Sequence, residues 1–139
     1  MKQKSITQIP VRYGETDMMG VVHHSVYALY YEQARVDFIS QFDTTYKQLE
    51  TDGVMLPLIQ LHCQYKKAAY FGDVLTVETS LEKISAAKIT FSYEIYNQNH
   101  EYINCGYTEH GFVSAKTFKP LNIQKIFPDL HNKLSNATK

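Results

Sequence analysis

Residues 25–42 contain neither Pro nor Gly, and no other stretch constrains the fold as much. Tyr27, Tyr30, Tyr31, Ala34 and Phe38 recur at helical spacing, while Val26, Ala28 and Leu29 add apolar character on the other sides of the first two turns. Ser25 stands where an N-cap belongs. A helix apolar nearly all round is a buried helix, so this one has to be wrapped by other parts of the chain.

Strands are the only candidates for the wrapping. Residues 6–13 are β-leaning, with Pro10 pointing to an edge position or a bulge. Beyond Pro57, Ile59, Leu61, Cys63 and Tyr65 alternate with Gln60, His62, Gln64 and Lys66, which predicts a half-exposed strand with Cys63 on its core side. After a Gly72-Asp73 turn signal, residues 74–81 place Leu75, Val77, Thr79 and Leu81 on one face. Ile89, Phe91, Tyr93 and Ile95 alternate with Thr90, Ser92 and Glu94, and residues 97–100 read as a hairpin loop. Residues 102–118 form a long last strand, with Gly106 and Gly111 as expected bulge points. Short helices are predicted over 43–52, where Thr45 and Gln48 have capping-box spacing, and after Asn122, with a break at Pro128. Strands in sequence after one helix give an α+β domain with an antiparallel sheet.

No repeat, linker or low-complexity tract interrupts residues 1–139, so one domain suffices. Fourteen basic and fourteen acidic side chains cancel, which argues against non-specific binding to nucleic acid or to an anionic membrane. No apolar run has signal-peptide character or approaches the roughly 20 residues of a membrane span. Cys63 and Cys105 form no CxxC pair and read as reduced thiols, so the expected compartment is the cytoplasm.

Chemistry concentrates in the loop before the helix, which reads Thr16-Asp17-Met18-Met19-Gly20-Val21-Val22-His23-His24-Ser25-Val26-Tyr27. An acid in a Gly-containing loop is commonly only a turn former. Here the loop feeds a helix whose first turn has unpaired backbone N–H groups, a site suited to negative charge. Adjacent His23 and His24 suggest a metal, but neighbours in sequence are expected to point apart and no third ligand has suitable spacing, so no metal is expected. Glu32 and Arg35, three apart, permit a surface ion pair; Glu32 has a second reading as an interface or substrate-facing group.

Thr16, Asp17, Gly20, Val21, Val22, His24 and Tyr27 stand in register with T-D, two residues, G-V-V, one residue, H, two residues, Y. This run resembles the signature of the 4-hydroxybenzoyl-CoA thioesterase branch of hotdog-fold enzymes. Glu32, Ala34 and Arg35 are similar to the related Tol-Pal-linked acyl-CoA thioesterases. The resemblance spans residues 5–118 and implies a sheet wrapped around one long central helix. It implies hydrolysis of acyl-CoA thioesters to free acid and CoA, with Asp17 as general base or nucleophile, the His24 backbone N–H as oxyanion donor and Gly20 turning the loop. His23, which departs from the bulky residue common at its position, is expected to touch substrate, with Tyr27, Tyr31 and Glu32. Lys66 and Lys67 are candidates for the CoA phosphates. Coenzyme A belongs to the substrate and no further cofactor is implied. A homodimer, or a tetramer of dimers, is expected, because a curved sheet leaves an edge to be covered. Two other readings stay open: a hotdog enzyme acting on acyl-carrier-protein thioesters, or as a dehydratase, and a non-catalytic acyl-CoA binder.

Overall fold

The computed structural model describes residues 2–139. Five strands form one antiparallel sheet: β1 (Lys4–Pro10), β3 (Leu58–Tyr65), β4 (Val74–Ile84), β5 (Lys88–Tyr96) and β6 (Tyr102–Gly111), in the order β1-β4-β5-β6-β3. A small ribbon pairs β2 (Val54–Met55) with β7 (Val113–Ser114). The central helix α1 (Tyr27–Ile39) lies across β1 and β4. A short α2 (Tyr46–Thr51) follows, and the chain finishes in α3 (Ile123–Ile126) and α4 (Pro128–Ala137), the latter packed on β4.

Alternation sets the sheet's two faces. Leu75, Val77, Thr79 and Leu81 on β4, and Ile89, Phe91, Tyr93 and Ile95 on β5, are buried toward the helix. Pro10 ends the edge strand β1, opposite Val74, where its missing N–H costs no ladder bond. Thr45 caps α2 by accepting from the Gln48 N–H, and Gly53 at φ +95° stops it.

Several expectations are corrected. Ser25 does not cap α1. It lies inside a 3-10 turn, His24–Val26, which the side chain of His23 caps by accepting from the Ser25 N–H, while α1 itself has no side-chain cap. The helix is buried on one side rather than all round: Tyr27, Tyr30, Tyr31, Ala34, Arg35, Phe38 and Ile39 face the sheet, whereas Leu29, Glu32, Gln33 and Val36 are exposed. One curved sheet covers only one face of a cylinder. The strand β3 is an edge, with Leu58 and Ile59 both 52% and Tyr65 55% exposed, and Cys63 half-buried. Its apolar side therefore lies largely outside the core.

The long last strand breaks at Phe112, and bulges fall at Leu58/Gln60, Leu81/Lys83 and Ile95/Tyr96 rather than at Gly106. Gly106 serves a different need. It pairs in regular register with Cys63 and Tyr93, and a Cβ there would press on the His62 carbonyl and lie 2.6 Å from the Tyr31 hydroxyl. The glycine lets the tyrosine under the sheet.

Candidate active site

The loop before α1 is a small hairpin. Thr16 bridges Val22, the Asp17 N–H donates to the Val21 carbonyl (3.0 Å), and the Gly20 N–H donates to the Asp17 carbonyl (2.9 Å). Gly20 has φ +80°, as expected of a three-residue loop that closes with a left-handed residue. Val21 bridges Tyr70 and the Val22 N–H donates to the Ala69 carbonyl, so the hairpin is sewn to the segment after β3. Asp17 is half-buried, and its Oδ1 accepts from the Met19 N–H at 2.8 Å. One carboxylate oxygen thus braces the loop.

Glu15, which the sequence reading passed over, ties this loop to the helix. Its carbonyl accepts from the His23 N–H (2.9 Å), and its carboxylate accepts from the Arg12 backbone N–H and guanidinium and from the Tyr30 hydroxyl on α1. Burial works to raise this carboxyl, but those donors outweigh it and hold Glu15 below the ordinary carboxylate range. The one signal in the sequence was its place three residues after Arg12, a capping-box spacing.

At the helix entrance the Val26 N–H donates to the His23 carbonyl (2.9 Å) and the Ser25 N–H to His23 Nδ1 (3.1 Å). Among the described residues the His24 N–H has no acceptor in this turn. It is the free donor. The His24 carbonyl accepts from the Tyr65 hydroxyl at 3.1 Å, a contact the sequence did not suggest. The rings of His23 and His24 do not point apart as expected: they lie against each other with centroids 4.1 Å apart. The backbone is a tight turn there, not a strand, so side chains do not alternate. Among the described residues no group of His, Cys, Asp or Glu is placed to hold a metal.

The remaining candidates divide. Tyr27 and Tyr31 are buried; Tyr27 packs edge-on against Tyr30 and Tyr65, and Tyr31 stacks on Tyr93 with centroids 4.2 Å apart while its hydroxyl meets Asn104 and Cys63. Tyr31 is 0% exposed, which makes it a core residue here. Glu32 is exposed and makes no pair with Arg35, because Arg35 turns inward to donate to the hydroxyls of Tyr46 (3.2 Å) and Tyr93 (3.3 Å). The backbone N–H groups of Lys66 and Lys67 both donate to the Ile103 carbonyl, and the Lys67 ammonium is paired with Glu101. A concavity of about 870 Å³ lies on the sheet face away from α1, between Lys4, Glu78, His62 and Tyr107, and contains none of these residues. Asp17 does not line this concavity.

Residues 11–134 match the family described as the thioesterase-like superfamily. A putative acyl-CoA thioesterase, YneP, of Bacillus subtilis is 34% identical over 132 residues, covering 95% of this chain and 96% of its own. The structure of a DHNA-CoA thioesterase from Staphylococcus aureus superposes with a TM-score of 0.89 at 39% identity, covering 93% of this chain and 87% of that one. A hypothetical protein from Thermus thermophilus gives 0.83 at 37% identity, covering 92% and 95%. The sheet-and-helix arrangement is the hotdog fold that the motif implied. No helix among the described residues is long and apolar enough to cross a membrane. With the family model spanning nearly the whole chain and these relatives matched end to end, the chain belongs to the thioesterase-like superfamily.

Proposed function

We propose that this protein hydrolyses acyl-CoA thioesters, with the Asp17 carboxylate as general base or nucleophile and the His24 N–H as the donor to the thioester oxygen. One observation carries the reading: the acid sits on a braced hairpin that runs directly into a helix entrance with a free N–H. Relatives named as acyl-CoA thioesterases agree with it. In the reaction, Asp17 either takes a proton from the attacking water, or attacks the carbonyl carbon itself to give a mixed anhydride that water then cleaves to the free acid and the restored carboxylate. The developing oxyanion meets a preformed backbone dipole, which needs no reorganisation, and CoA leaves as a thiolate with no need of an acid to protonate it. Among the neighbours, the Staphylococcus protein is named for DHNA-CoA, so an aromatic acyl group belongs in the substrate panel beside short and long aliphatic ones.

The active unit in this reading is a dimer built along β3. That strand is an unpaired edge carrying exposed Leu58, Ile59, Leu61 and Tyr65, and a second copy paired there would enclose the Asp17 loop, facing exposed residues such as Glu32. The working form is one domain in the cytoplasm with no cofactor beyond the CoA of its substrate. Release of free CoA from the panel, followed with a thiol reagent, tests the function. Wild type should turn over at least one acyl-CoA, and Asp17→Ala should lose on the order of 10²-fold or more in kcat. Binding of acyl-CoA without turnover by wild type would leave only the binder, and equal activity in both proteins would remove Asp17 from the chemistry.

A further inference from the structure

Three hydrogen bonds fix the 3-10 turn at the entrance of α1, and one of them comes from a distant strand. The Val26 N–H holds the His23 carbonyl, which sets the peptide plane that carries the His24 N–H. The Ser25 N–H is held by His23 Nδ1. The next plane, that of the His24 carbonyl, is held by the Tyr65 hydroxyl at 3.1 Å, from the last residue of β3. No side chain caps α1 itself, and helix ends that lack caps fray. The Tyr65 ring is steadied edge-on by Tyr27, centroids 5.5 Å apart.

We propose that Tyr65 is a positioning residue for thioester hydrolysis, its hydroxyl pinning the His24 carbonyl so that the adjoining His24 N–H stays aimed at the substrate oxygen. This rests on the roles of Asp17 and the His24 N–H given above. Tyr65 touches no reacting atom in this account; it acts through the turn. Desolvation and the neighbouring Cys63 thiol push its hydroxyl up to about 12, so it remains a donor across neutral pH. Because Tyr65 ends the edge strand, the same element would join two copies and aim the donor, linking assembly to turnover.

Tyr65→Phe keeps the ring and removes only the hydroxyl. Its kcat should fall about tenfold, the effect of one lost hydrogen bond, with KM within about twofold and an unchanged melting temperature. Tyr107→Phe, which removes a hydroxyl bonded to Gln60 on the outer sheet face, should keep wild-type kcat. A second measurement does not depend on turnover. The infrared stretch of a carbon-13-labelled thioester carbonyl, bound to Asp17→Asn, should shift to lower wavenumber, and the shift should shrink in Asp17→Asn/Tyr65→Phe. Wild-type kcat in Tyr65→Phe, beside an inactive Asp17→Asn, overturns the inference and spares the site. So does a lowered kcat that tracks a lowered melting temperature with the carbonyl stretch unmoved. Full activity in Asp17→Asn removes the site reading and this inference with it.

Discussion

Single residues in this protein often have two duties, and the structure separates them. Asp17 gives one oxygen to the Met19 N–H, and the proposed reaction would use the other. His23 gives its ring nitrogen to cap a turn, where the motif suggested only a substrate contact. His110 has a purely internal duty. Arg35 donates to Tyr93, Tyr93 is 2.6 Å from Thr108 Oγ1, and Thr108 is 2.9 Å from His110 Nε2, while His110 Nδ1 lies 3.1 Å from the Leu56 carbonyl. The donors run one way along this chain, which assigns a neutral His110 with its proton on Nδ1. Burial, and then the Arg35 charge, push its pKa down from 6.5 to about 4. The folded value is depressed below the unfolded one, so folding is unpenalised above pH 6.5, and stability drains away as pH falls from there toward 4. At its fullest this loss is on the order of 3 kcal/mol. Urea unfolding of wild type at a series of pH values should show it, and His110→Asn, which has no titrating ring, should flatten that part of the profile.

At the scale of elements, the clearest device is the passage of Tyr31 beneath β6. The tyrosine stacks on Tyr93, its hydroxyl meets Asn104 and Cys63, and Gly106 makes room for it. Gly106→Ala would set a methyl against backbone on one side and the hydroxyl on the other. Overpacking of this kind should destabilise the fold by about 2–3 kcal/mol, seen as a lower denaturation midpoint. Tyr31→Phe in the same background should recover part of it by removing the hydroxyl that the methyl meets. From sequence, strand and helix identities were readable because the alternation of Ile89, Phe91, Tyr93 and Ile95 and the helical spacing of Tyr27, Tyr31, Ala34 and Phe38 are local signals. The purpose of Gly106 was not, because it depends on a side chain 75 positions earlier in the chain. The same holds for Tyr65 reaching the His24 carbonyl, and for Arg35 turning inward where helical spacing offered Glu32 as a partner.

For the whole molecule, two of the departures from expectation stand together. The helix is open on the side of Leu29 and Val36, and β3 shows apolar side chains at its edge. Periodicity marks a face as apolar without saying whether its own chain or another copy covers it. Assembly through β3, as proposed above, would cover that edge. Ile59→Lys with Leu61→Lys should convert a dimer to a species of about the 16.1 kDa chain mass in sedimentation, with turnover lost alongside; a fully active monomer would sink the shared site. The central claim is narrower: the Asp17 carboxylate attacks, or drives water to attack, a thioester held at the helix entrance. Its most direct test is the single-turnover rate of acyl-CoA hydrolysis in Asp17→Asn, with CoA affinity measured on the same protein. The account predicts a rate at least about 10²-fold below wild type with affinity preserved; a rate within twofold of wild type would contradict it.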